Sequence, residues 1–240
     1  MDTIWQNVLD FGRVTSYRQS FGLNYQVPLN KIPIFNFISM NTRYTANYDW
    51  QGAPLALKEL GNTIQNSNMR QYNAQINMTT LYNKVPYFKK LNQGNRGKNR
   101  NRNRNRNIES QDEIENKEDK NQYEIFKHMT RFFLGVKNIS VNYSANNGTF
   151  LPGYKYQPHF LGMKWKEMSP GLPFVFGSQK DIRFLAGKNG WITEDTTLNT
   201  MYKRNASINL TLRSTIEPIK QLRIELTANK TSSNNLNEYF

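Results

Sequence analysis

Between Ile38 and Trp50 the chain alternates. Ile38, Met40, Thr42, Tyr44, Ala46, Tyr48 and Trp50 fall on one side, and Ser39, Asn41, Arg43, Thr45, Asn47 and Asp49 on the other. A period of two predicts a strand with one apolar face, broken only by Thr42, and one polar face. A strand from Ile38 to Trp50 spans ~40 Å at ~3.3 Å per residue, or ~30 Å along a membrane normal at a tilt of ~40°. That length suits the apolar band of an outer-membrane barrel, with Tyr48 and Trp50 at an aromatic girdle. A sandwich strand has the same alternation, so the companions must decide.

Five companions carry the pattern. Tyr17 to Val27 sets Tyr17, Phe21, Leu23, Tyr25 and Val27, with Gln19 as the exception, against Arg18, Ser20, Gly22, Asn24 and Gln26. Met69 to Tyr82 sets Tyr72, Ala74, Ile76, Met78, Thr80 and Tyr82 against Gln71, Asn73, Gln75, Asn77 and Thr79. Lys137 to Asn146 opposes Ile139, Val141, Tyr143 and Ala145 to Asn138, Ser140, Asn142 and Ser144. Ala206 to Ile216 opposes Ile208, Leu210 and Leu212 to Ser207, Asn209, Thr211 and Arg213, and Leu222 to Ala228 is the sixth strand, followed by an Asn/Ser loop.

The connections supply a second regularity. Residues 28–33 and 217–221 hold prolines and read as tight turns, whereas 51–68 and 147–200 read as long loops with Gly, Pro and Asn punctuation. Tight turns at one end and long loops at the other are the asymmetry of outer-membrane barrels. Three segments follow: strands one to three in 1–83, an insertion in 84–130 on the tight-turn side, and strands four to six in 131–240. Residues 123–136 read equally as a short amphipathic helix or a bulged strand start.

Composition modifies this picture in two places. Hydrophobic residues make up 37% and aromatics 13% of the chain, a balance that suits a barrel in which only alternate residues meet lipid. No apolar run is long enough for a membrane-spanning helix. The first residues carry acids and no apolar core, so no signal peptide is expected there, and an exported protein would make this chain a fragment of something longer. The formal charge of +14 points toward nucleic acid, yet nine Lys and Arg lie within Lys84–Arg106, which holds no acid. The Asn-Arg tract 95–107 (NRGKNRNRNRNRN) and the acidic run after it cannot bury enough apolar surface to offset chain entropy, so 92–121 is expected to be disordered. Alternating arginines can bind phosphates, but the tract lacks stacking aromatics, and a disordered spacer accounts for it without a nucleic-acid partner.

Catalytic chemistry is hard to find. His128 and His159 stand far apart and outside any metal-ligand spacing, which favours ordinary surface or packing roles. Asp181, Glu194 and Asp195 form the one candidate carboxylate group, with solvated loop charges as the simpler reading. Without cysteine there is no thiol chemistry. No catalytic residue, cofactor or metal is expected. The proposed lipid-facing residues are Ile38, Met40, Tyr44, Tyr48, Trp50, Tyr72, Ile76, Met78, Tyr82, Val141, Tyr143, Ile208 and Leu210. The proposed lumen-facing residues are Arg43, Asn47, Asp49, Asn73, Asn77, Asn142, Asn209 and Arg213.

Several stretches add a resemblance. Trp5-Gln6-Asn7 with Phe11-Gly12-Arg13, Val27 to Pro33, Tyr44 to Trp50, Leu60 to Ser67, Leu81 to Tyr87 and Asn142 to Tyr154 together resemble the SprA family. These are giant outer-membrane translocons of the type 9 secretion and gliding-motility system of Bacteroidota. The likeness covers most of the chain outside 92–124, and the Asn-Arg tract departs from it. The resemblance implies a structural role: an arc of about six long strands in a very large transmembrane β-barrel that conducts folded cargo proteins to the cell surface. It implies as partners the remainder of the same barrel chain, a PorV-like lateral-gate protein, a periplasmic plug protein, secreted cargo and membrane lipid. A secreted β-sandwich domain for adhesion or carbohydrate binding is the main rival.

Overall fold

A computed structural model describes residues 13–86, 88–89, 134–219 and 221–239. They form one six-stranded antiparallel sheet in which every strand pairs with its neighbours in sequence. The strands are β1 (Ser16–Val27), β2 (Ile38–Gln51), β3 (Asn62–Asn77), β4 (Val136–Tyr154), β5 (Tyr202–Ile219) and β6 (Leu222–Glu238). At 12 to 19 residues, they far exceed the ~5–6 residues of an ordinary strand. The sheet is open, with one edge of β1 and one edge of β6 unpaired among the described residues.

Register carries the alternation of β2 across the whole sheet. Tyr44 pairs with Leu23 and Arg70, Arg70 with Ala145, and Ala145 with Ile208. Because side chains alternate with a period of two, one in-register ladder assigns every position to a face. On β2 the even-numbered side chains define the apolar face and the odd-numbered ones the polar face.

The strands outrun their sequence-based bounds. β3 begins at Asn62 and ends at Asn77, earlier at both ends than Met69–Tyr82. Met78–Lys84 is a helix, so Met78 and Tyr82 do not belong to a membrane-facing strand face. The cause is local: the Asn77 side chain accepts from the Thr80 amide as an N-cap, and Lys84 in the last turn donates to the carbonyls of Pro33 and Ile34. β4 continues through Asn147-Gly148, which read as a turn, and β6 runs through the expected Asn/Ser loop to Glu238. These segments are poor in strand-forming residues and depend on the ladder beside them; pairing overrides propensity.

The expected sorting of loops survives in part. Residues 220–221 and 155–201 are the shortest and longest connections outside the insertion and lie at opposite ends, but 28–37 and 52–61 are equal in length. The tract 92–121, His128 and most of 123–136 lie outside the described residues.

Candidate functional site

The connection 155–201 is a folded cover. It lies over the apolar face at the end where β2 finishes and β5 starts, and it supplies the second layer of the buried core found among the described residues. Tyr48, Trp50, Ile64, Leu151, Tyr154 and Tyr202 come from the strands, and Met163, Phe174, Val175, Ile182, Ala186 and Trp191 from the cover. Tyr48 and Trp50 are 0% and 1% exposed. Their rings therefore meet protein, and neither can stand at an aromatic girdle against lipid. Tyr48 packs edge-on against Phe174, and the Trp50 indole donates to the Tyr156 carbonyl at 2.9 Å.

Under this cover the apolar face turns polar at Asn66, Asn68 and Thr149, whose side chains bond to the cover, while the buried Tyr48 hydroxyl has no hydrogen-bond partner. Asn66 donates to the carbonyls of Phe174 (2.7 Å) and Ser178 (2.8 Å), and its own carbonyl accepts from Gln179 (3.0 Å). Asn68 donates to the Gly177 carbonyl and accepts from Asn147. Thr149 donates to Gln179 at 2.9 Å, and the Tyr44 hydroxyl donates to the Phe176 carbonyl at 2.6 Å. Buried amides cost several kcal/mol if left unpaired, so this network fixes where the cover sits.

The segment 172–183 crosses the sheet from edge to edge. Phe176 stacks edge-on against Phe21 of β1 at 5.6 Å, and Gly177 lies against Ala46 of β2 and Asn68 of β3. Gln179 meets Thr149 of β4, and Arg183 stacks over Tyr202 of β5 at 4.3 Å while bonding Glu238 of β6 at 2.6 Å. It is a strap touching all six strands. Gly177 has φ +85°, and a Cβ there would stand 2.9 Å from the Ala46 Cβ, so both the backbone and the close approach require glycine.

Beyond the strap no described residue covers the apolar face. Ile38, Met40, Tyr44, Tyr72, Ile76, Val141, Tyr143, Ile208 and Leu210 share it, as the alternation predicted. Leu23, Tyr25 and Leu226 extend it to both edge strands at 56%, 54% and 54% exposure. Arg70 stands at its upper margin, exposed beside Tyr44 and Tyr72, where a long side chain can lay its stem on apolar surface and keep its charge in water.

The opposite face is polar throughout except Met69 and Phe150. Arg43, Asn47, Asp49, Asn73, Asn142, Asn209 and Arg213 share it. Asn77 is instead spent on capping the helix. Asp49 pairs with Arg18, and hollows of about 580, 470 and 370 Å³ open on this face.

The carboxylates do not converge. Asp181 is held by Arg183, whose guanidinium keeps it below the usual carboxylate range; Asp195 accepts from the amide and hydroxyl of Thr197, which also lowers it. Glu194 faces Lys155 at 4.0 Å. His159 lies at the surface, 3.4 Å from the Lys164 ammonium. Among the described residues no cluster of His, Asp and Glu can hold a metal, and no helix is long and apolar enough to cross a membrane.

Sequence reasoning missed Asn66, Asn68, Asn147, Thr149 and Gln179. Asn66 and Asn68 lay in an apparent loop, and asparagine on a strand's apolar phase signals a turn until the strap supplies its partners. No protein-family model and no curated protein matches this chain.

Proposed function

We propose that this chain is an arc of the wall of a very large outer-membrane β-barrel that conducts folded proteins to the cell surface, as the resemblance to the SprA family implies. One observation carries the proposal: β1 to β5 share an apolar face that no described residue covers beyond the strap, back to back with a face of amides and hydroxyls. On β6 Ile224, Leu226 and Ala228 continue it, while Lys230 and Ser232 stand opposite Leu210 and Ile208. In water the exposed apolar rows are a liability; against lipid they are the stable arrangement. From Ile208 to Ile216 the uncovered part of β5 measures ~26 Å of strand, or ~20 Å along the normal at a tilt of ~40°, comparable to the ~25 Å apolar band of such barrels.

Two further features support this reading. Among the described residues both sheet edges lack partners, as an arc requires and as isolated soluble sheets avoid. The polar face bears mostly uncharged Asn, Gln, Ser and Thr, which stay hydrated and bind weakly to passing proteins of any charge. The role is structural rather than enzymatic. The partners are the rest of the barrel, a PorV-like lateral-gate protein, a periplasmic plug protein, cargo and lipid, with the cover on the cell-surface side.

One observation favours the rival reading of a secreted β-sandwich domain: the cover packs on the apolar face as a second layer would. It covers only one end, however, and leaves the rest bare. Carbonate-washed membranes floated on a density gradient separate the two, because an integral wall rises with the lipid and a soluble domain stays in the load.

A further inference from the structure

Among the described residues Phe150 is the only aromatic at a strand position on the polar face. It lies in a hollow of about 580 Å³ built from two neighbouring cross-strand rows. The first row runs Asp49, Gln65, Phe150, Lys203 and Asn237; the second runs Ser67, Gly148, Asn205 and Asn235. Gly148 is the floor. Its backbone is ordinary extended strand, so no turn calls for glycine, and what its missing side chain provides is space. A Cβ there would meet the Asn205 amide oxygen at 2.5 Å, because that side chain lies across the notch.

From these neighbours we infer that the hollow binds a neutral saccharide. The lining argues by elimination. Of the charged residues lining it, Asp49 is already paired with Arg18, and Lys203 stands over the Phe150 ring at 6.0 Å. Arg204 belongs by register to the opposite face, where its charge acts on Asp181, so Lys203 is left without a second cation beside it to favour a phosphate or a polyacid. An apolar ligand would desolvate amides without replacing their hydrogen bonds. The backbones of β3, β4 and β5 pair with each other here, leaving no free edge on which a peptide strand could add. What remains is a ligand with an apolar flat side and a rim of hydroxyls. Gln65, Asn205, Asn235 and Asn237 each offer a donor and an acceptor to vicinal hydroxyls, and Phe150 offers a ring face to the C–H side of a pyranose. A volume of about 580 Å³ falls within the range of small-ligand sites. The hollow exists whichever solvent meets the other face, so this inference does not rest on the barrel reading.

The test is saturation-transfer NMR on the full chain in lauryldimethylamine oxide, a detergent without a sugar headgroup, with cellotriose, maltotriose and chitotriose as separate probes. At least one trisaccharide should receive saturation on its ring protons. Gly148→Val, which displaces only the flexible Asn205 amide, and Phe150→Ala should each weaken that binding by about tenfold or more, while Phe150→Trp retains it. Circular dichroism of each variant must match the parent. No transfer to any of the three sugars would overturn the proposal, as would binding that Gly148→Val and Phe150→Ala leave unchanged. Transfer to an Asn/Ser-rich peptide in place of the sugars would overturn it in favour of a polypeptide ligand.

Discussion

Asn66 joins strand and strap. Its amide satisfies two strap carbonyls and its oxygen a third group, Gln179; the bond to Phe174 is buried and those to Ser178 and Gln179 are half-buried. Asn66→Ala removes three hydrogen bonds, while the Phe174 carbonyl still accepts from the Gly177 amide and Gln179 still donates to the Gly177 carbonyl, so at ~0.5–1.5 kcal/mol per bond a loss of about 1.5–4.5 kcal/mol is expected. Urea unfolding followed by the fluorescence of the buried Trp50 and Trp191 measures it, and a change under about 0.5 kcal/mol would place the energy of the clasp elsewhere. Asp181 makes a second, pH-dependent clasp. Its hydrogen bonds from Arg183 lower its folded value below the ordinary 3.8, so its stabilisation is fully present above that pH and is lost as pH falls through the lower folded value. Acidification below about pH 3.8 should therefore open the strap near β5 and β6. In Asp181→Asn the opening should lose that acid dependence, read as cleavage of the strap by pepsin, which is active at that pH, across a series of acid pH values.

The strap is the element on which the local order depends. Gly177→Val adds left-handed backbone strain and presses a side chain into Ala46, together about 2–5 kcal/mol. The expected result is rapid tryptic cleavage at Lys164, Lys166 and Lys180 while the six strands keep their β circular dichroism. A variant as resistant as the parent would mean that the strap is not seated by this contact. The same element marks where sequence reading works and where it stops. Ile38–Trp50 was legible because two-residue periodicity is a local property, and the face assignments of Arg43, Asn73, Tyr72 and Leu210 follow from it. Tyr48 and Trp50 have the same periodicity as Ile38 and Met40, so nothing nearby distinguishes a ring that meets lipid from one that meets Phe174. That difference lies more than a hundred residues away, in the cover. Asn66 and Asn68 were misread for the complementary reason: a strand amide on the apolar phase makes sense only with the strap's carbonyls above it. Met78 and Tyr82 continued the alternation of β3 by chance, and the Asn77 cap ends it.

At the scale of the whole molecule, the proposed wall makes the sheet a divider with a different solvent on each side. The cover seals the rows from Trp50 to Ala46 with protein, so in the proposed wall the lipid band starts further in, near Tyr44 and Arg70. The two open edges then require neighbours, and the chain taken alone in water should self-associate through β1 and β6. Sedimentation velocity at rising protein concentration checks this; a chain that remains monomeric without detergent would count against the arc. The most direct measurement uses neighbouring residues of β5 that point to opposite faces. Ile208→Cys and Leu212→Cys sit on the apolar face, Asn209→Cys and Arg213→Cys on the polar one. In outer-membrane vesicles opened to reagent on both sides, a charged, membrane-impermeant maleimide should label the cysteines at 209 and 213 and leave those at 208 and 212 unmodified until detergent is added. Equal labelling of all four before detergent would mean that water reaches both faces, and the account of this sheet as a membrane wall would be wrong.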